Sequence, residues 1–293
     1  MTLYTHIDSN IRKTWLLFGA FFLIVIGLGW FLSYYFNNQT VLFIAVFFSI
    51  FMSFFSYWYS DKIILAISKA RPISRDEAPE LYRLVENLAI TAGLPMPKIY
   101  LIDDPSPNAF ATGRDANHAV VAVTQGLLAI LDRSELEGVI SHELSHIGNK
   151  DMLLQTVVVV LVGMVTMIAD LFIRGRLFMG RRKESGEGGG ILMLVGLVFI
   201  ILSPVFAKLI QFAISRKREY LADATGALLT RYPEGLARAL EKISQSPYSL
   251  RVANQAIAHL FIASPFRGKK ISNLFSTHPP IEERVKRLRE MSF

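Results

Sequence analysis

Residues 142–146 read His-Glu-Leu-Ser-His, two imidazoles four residues apart with a carboxylate beside the first. On a helix that spacing sets His142 and His146 on one face, one turn apart, where both rings can reach a single cation. Glu143 then projects beside them, toward a water on that cation. The chemistry such a set could do is metal-assisted hydrolysis, in which an ion such as zinc acidifies a bound water. Two surface histidines on an amphipathic helix are the bland alternative.

A catalytic zinc takes three protein ligands and keeps one position open. The chain has no cysteine, and His6, His118, His259 and His278 stand in no ligand cluster. Glu219 and Asp223 lie four apart in Glu219-Tyr220-Leu221-Ala222-Asp223. One carboxylate there would complete a His₂Glu set, and the other could accept a ring N–H from a ligating histidine. Spacing alone, beside Arg216, Lys217 and Arg218, reads as a solvated helix face. His278, before Pro279 and Pro280, is either a donor to a developing oxyanion or the neighbour of a helix start, and Arg284 reads as a structural charge partner. Asn108, Ala109, Phe110 and Ala111 open the segment NAFATG, which reads as a strand and turn. An exposed edge there could hold an extended peptide through its backbone.

The elements that must position these groups are of two kinds. Residues 15–36 and 41–59 are nearly unbroken apolar runs around the uncharged turn Asn37-Asn38-Gln39-Thr40, long enough for a transmembrane hairpin. Trp30, Tyr34, Tyr35, Tyr57, Trp58 and Tyr59 read as interfacial belts, which argues against a cleaved signal. Arg12, Lys13, Lys62, Lys69, Arg71 and Arg75 flank the hairpin, so both its ends are expected in the cytoplasm. From 71 to 151 the composition is that of a soluble domain. Asp76 is expected to cap a helix ending at Ala92 before Gly93; strands are expected at 98–102 and 118–123; Ser134 with Glu137 suggests a capping box opening a helix to about Asn149. Apolar runs at 152–173 and 191–214 are each long enough to span, although their linker holds Arg174, Arg176, Arg181, Arg182 and Lys183, against the positive-inside tendency. Helical patterns return at 219–230, 234–244 and 280–291. The expected division is thus 1–60, a membrane hairpin; 61–150, a small sheet and the HExxH helix; 151–214, a second membrane hairpin; and 215–293, the remainder of the soluble domain.

Composition agrees with this division. The 293 residues are 52% hydrophobic and 19% charged, with a mean hydropathy of +0.38, which excludes disordered, collagenous and disulfide-scaffold classes. The net charge of +7 clusters beside the apolar runs at 62–75, 174–183 and 208–218 with no aromatic-interleaved basic stripe. It therefore points to a lipid surface and away from nucleic acid.

The HELSH helix, NAFATG, SRKREYLAD (215–223) and STHPP (276–280), interleaved with two apolar hairpins, resemble the HtpX group of membrane metalloproteases, in the M48 family related to the CAAX protease Ste24. The likeness covers nearly the whole chain in order. It implies an α+β, multi-span membrane protein with a zincin-like (HExxH, gluzincin) catalytic domain. It also implies one Zn²⁺ per chain on His142, His146 and Glu219, Glu143 as the catalytic acid/base, and Asp223 orienting a ligand histidine. NAFATG, with Asn108, Ala109, Phe110 and Ala111, takes the role of substrate strand. The resemblance further implies a bacterial inner-membrane location with a cytoplasmic catalytic domain and action on misfolded or damaged membrane proteins, and leaves room for association with other membrane quality-control proteases. A specific processing peptidase, or a non-catalytic scaffold with structural zinc, are the competing readings. The scaffold would want a fourth protein ligand and has little use for Glu143.

Overall fold

The computed structural model describes residues 3–158, 216–250, 257–263 and 279–291. The expected second apolar pair lies outside these residues apart from 152–158, and so does His278.

Helix α1 (Leu3–Tyr35) and helix α2 (Gln39–Ile67) form the first hairpin. Asn38 makes the turn possible by accepting the Thr40 N–H as N-cap of α2, while Asn37 takes the left-handed conformation with φ of 48°. Gly29 lets the helices approach closely, since a Cβ there would lie 2.2 Å from the Ala45 Cβ. Both helices are long and apolar enough to cross a membrane. Trp15, Leu23, Trp30, Phe43, Phe47 and Phe54 are exposed along them, a lipid-facing surface and not a defect.

Helix α2 runs past Tyr59, where the apolar run ends. It continues to Ile67 and buries Ile64 and Leu65 against Ile102, Phe110, Val120, Ala122 and Phe261. The second span therefore runs without a joint into the soluble domain.

That domain is built on strands β1 (Arg71–Pro72), β2 (Lys98–Ile102), β3 (Ala109–Thr112) and β4 (Val120–Thr124) in the order β1-β2-β4-β3. β2 and β4 are parallel, and both outer pairs are antiparallel. Alternation along β4 buries both faces of the sheet: Val121 and Val123 join Leu84, Val139, Ile140, Leu144 and Leu236 on one side, and Val120 and Ala122 meet the end of α2 on the other. Among the described residues its helices are α3 (Pro79–Ala92), α4 (Gln125–Ile130), α5 (Arg133–Gly148), α6 (Arg216–Thr230), α7 (Pro233–Gln245) and α8 (Ile281–Arg289).

Local expectations needed three corrections. Asp76 does not cap α3, which begins with Pro79 at its first turn, where the missing N–H has no partner to lose. The capping box of α5 is Asp132 with Glu135, not Ser134 with Glu137; the Ser134 hydroxyl donates to the Asp132 carboxylate at 2.7 Å. A charged acceptor outcompetes a hydroxyl for the free N–H groups of the first turn. His118 sits in a short 3₁₀ turn, Ala116–His118, and β4 starts at Val120. Gly93 does end α3, with φ of 66°.

Candidate metal centre

Helix α5 carries HELSH through the middle of the domain. Its face is not solvated: Ser141, His142, Glu143, Leu144, Ser145, His146 and Ile147 are all buried. Helix α6 lies across it at Gly226, where a Cβ would fall 2.9 Å from the His142 backbone nitrogen. This close crossing brings Glu219, 73 residues beyond His146 in sequence, to the two histidines.

His142 Nε2 and His146 Nε2 are 3.2 Å apart. Glu219 Oε2 is 3.9 Å from the first and Glu219 Oε1 is 3.6 Å from the second. Donors held about 2.0–2.2 Å from a tetrahedral zinc are separated by about 3.3–3.6 Å, so the triangle fits the ion. The far side of each ring supports the fit. His146 Nδ1 is hydrogen-bonded to Asp151 Oδ2 at 3.1 Å. His142 Nδ1 lies 2.9 Å from Asp223 Oδ1, off the ring's N–H direction. A carboxylate on Nδ1 keeps the proton there and turns the Nε2 lone pair inward. Two ring nitrogens and a carboxylate thus converge on one buried point, the donor set of a cation site.

Charge is set just as tightly around these donors. Burial pushes the Glu143 carboxyl up to about 7, helped by the charge of Glu219 and opposed by His146 and by the Ala111 N–H it accepts. Burial disfavours a charged His146, yet the Asp151 hydrogen bond and Glu219 raise it to about 9. Burial lowers His142. Burial also works against an ionised Asp223, but Arg284 and His142 hold it below the ordinary carboxylate range. Arg284 is completely buried and grips Asp223 with two bonds, Nη2 to Oδ1 at 2.6 Å and Nε to Oδ2 at 2.9 Å, while its Nη1 donates to the Ile262 carbonyl at 2.9 Å. Such a bidentate fork fixes the plane of the carboxylate that faces His142.

The structure thus brings His142, Glu143, His146, Glu219 and Asp223 together and assigns Arg284 to Asp223. Spacing had left Glu219 and Asp223 as a solvated pair; both are buried. Sequence reasoning missed Asp151, whose signal was an acidic residue just beyond the HExxH helix. The NAFATG strand differs from expectation. β3 is an edge strand, but Asn108 to Ala111 are buried. Asn108 is engaged by Thr124 and by Ala263, whose carbonyl accepts from its Nδ2 at 3.1 Å, and the Ala109 carbonyl accepts from Ile262 N–H at 3.0 Å. The segment 262–263 covers this part of the edge, and Ala111 reaches the centre through its N–H to Glu143.

Comparison with known proteins places this geometry. Residues 75–292 match the model of peptidase family M48. The chain is 48% identical over 291 residues to "Protease HtpX homolog" of Dictyoglomus turgidum, covering 99% of this chain and 95% of that one. It is 49% identical over 271 residues to the protein of the same name from Pyrococcus furiosus, covering 92% and 91%. Among solved structures, the crystal structure of S. mikatae Ste24p shares the fold, with a TM-score of 0.52 at 20% identity over 97% of this chain and 67% of that one.

Proposed function

The chain belongs to peptidase family M48 as a membrane zinc metallopeptidase with a His142, His146, Glu219 site, and from that premise we propose that it is an endopeptidase for misfolded or damaged membrane proteins, working at the cytoplasmic surface of the bilayer. The observation that carries this reading is the place of the centre. Helix α2 feeds from the membrane straight into the sheet, and residues 154, 157 and 158, just past the metal helix, pack on Leu17, Phe18 and Phe21 of α1. An active site so close to the bilayer meets chain segments that emerge from it. Arg12, Lys13, Lys62, Lys69 and Arg71 lie at the same end of the hairpin, which supports a cytoplasmic orientation.

Bound zinc would supply Lewis acidity toward a peptide carbonyl and an acidified water. Glu143 is the proposed proton carrier: burial raises the proton affinity of its carboxyl, the direction that suits a group that must both accept and return a proton. Its Ala111 hydrogen bond aims it and links it to β3. Asp223 orients His142 under the grip of Arg284 and leaves its Nε2 as the nitrogen that would hold the ion. Of the expected substrate strand (Asn108, Ala109, Phe110, Ala111), the proposed docking edge is the Ala111 end of β3, because 262–263 already occupies Asn108 and Ala109. Backbone recognition of this kind selects exposure over sequence, which suits quality control. His278 remains a candidate oxyanion donor.

Glu143→Gln should retain zinc and lose hydrolysis of casein; undiminished hydrolysis would refute the assignment. Cleavage sites mapped in membrane substrates of known topology should fall in segments exposed on the cytoplasmic side. Cuts confined to hydrocarbon depth would overturn the proposed site of action.

A further inference from the structure

Helix α1 is longer than a membrane needs. Its 33 residues extend about 50 Å, while the hydrocarbon layer is about 30 Å thick. The surplus is at its beginning, before Trp15, and there the helix runs alongside the soluble domain. Asn10 sits in this part, about 8 Å along the axis from Trp15. It is buried, an unfavourable place for an amide unless its hydrogen bonds are met.

They are met by the metal centre's supports. Asn10 Nδ2 donates to Asp151 Oδ1 at 2.7 Å and to the Asn149 carbonyl at 3.1 Å. Asn10 Oδ1 accepts from Arg218 Nη1 at 3.2 Å. Asp151 divides its oxygens: Oδ2 faces His146 Nδ1, and Oδ1 faces Asn10 and, at 3.5 Å, Arg218 Nε. Arg218 immediately precedes the ligand Glu219 in α6. One side chain of the first membrane helix therefore touches the end of α5, the start of α6 and the carboxylate that orients a zinc ligand.

We propose that Asn10 is a positioning residue for the zinc centre, holding Asp151 so that Asp151 holds His146, and thereby coupling the first membrane helix to metal retention. An amide suits this task because it offers a donor to a carboxylate and an acceptor to a guanidinium from one planar group. Alanine would leave Asp151 Oδ1 without its short bond and free the carboxylate to turn away from His146. Aspartate keeps the size of Asn10 but removes the donor and sets a like charge against Asp151.

The inference rests on the zinc site and is read by metal binding, not proteolysis, so it fails separately from any assignment of substrate or proton carrier. Full-length wild type, Asn10→Ala, Asn10→Asp and the exposed control Arg12→Ala are purified in detergent, stripped of metal and titrated with zinc against a chromophoric chelator. Visible spectra of the cobalt-loaded proteins report ligand geometry. Loss of a group that orients a metal ligand weakens binding about 10- to 100-fold, and that loss is expected for both Asn10 variants, with an altered cobalt spectrum and an unchanged Arg12→Ala. Asn10→Asp preserves packing, so it remains informative if Asn10→Ala does not fold. Wild-type zinc affinity and cobalt spectrum in Asn10→Asp would overturn the proposal. So would a fall in metal-free Tm with no change in either.

Discussion

Gly226→Ala isolates the contact on which the centre depends. A Cβ at 226 would lie 2.9 Å from the His142 nitrogen and 3.1 Å from its Cα. Both are backbone atoms inside a buried helix, and neither can rotate aside. Ordinary contact begins near 3.4 Å, so α6 must retreat from α5 by about 0.5 Å. Glu219 lies seven residues away on α6, two turns along nearly the same face, and a stiff helix carries the displacement to it. Metal sites tolerate about 0.2 Å of error in their ligand distances. Overpacking of a core contact costs about 1–3 kcal/mol. The variant should therefore lose about 1–3 kcal/mol of stability in calorimetry, and its zinc affinity should fall about tenfold or more in a chelator competition. Gly148→Ala is the matched control, at the end of α5, where a Cβ meets nothing within 4 Å; it should bind zinc like wild type. If Gly226→Ala matches wild type in both Tm and zinc affinity, the close helix crossing does not set the donor triangle.

Other perturbations reach neighbouring parts of the molecule. Arg284→Met removes the fork on Asp223 and strands a buried carboxylate, so denaturation should show a loss of about 3–5 kcal/mol, and a cycle with Asp223→Asn should show the two losses to be far from additive. Glu219→Gln should weaken zinc binding in a competition titration while the metal-free protein keeps its helical circular dichroism. Stripping zinc with a chelator should lower the Tm of wild type and leave that of Glu219→Gln nearly unmoved, because only an ion bound to the native state stabilises it. Asp132→Ala removes the cap of α5 and should cost about 1 kcal/mol at neutral pH. The Ser134 hydroxyl and the Glu135 N–H hold the Asp132 carboxyl below its ordinary value. Its contribution is therefore present above the unfolded carboxyl's pKa and lost as pH falls through the folded one, so the gap between wild type and Asp132→Ala should close in denaturant titrations run toward pH 3.

Much of this was legible in the chain because the signals are local. A period of 3.6 residues places His142 and His146 on one face wherever their helix goes, Gly93 ends α3 by a backbone preference, and about twenty apolar residues in a row cannot be hidden in a domain of this size. NAFATG was legible as a strand, but its burial was not: exposure depends on the segment 262–263, about 150 residues away, which lies over it. Capping was ambiguous for a related reason, since Asp132 and Ser134 both offer an acceptor and only the chain's direction into α5 selects one.

What the sequence by itself determined is the pair of histidines, the carboxylate between them and the two membrane-length helices, all products of short-range periodicity and composition. Spacing left open which carboxylate completes the triangle and which ones hold the rings; family likeness named Glu219 and Asp223, and tertiary structure is what brings them to the histidines and adds Asp151. Glu219, Asp223, Arg284, Asp151 and Asn10 come from four separate stretches of chain, and each i,i+4 or flanking pattern among them would read equally well as solvated surface. Their roles arise because Gly226 admits α6 against α5, and because α1 runs on past the membrane into the domain. Both are close approaches between distant segments, on which one segment's own pattern is silent.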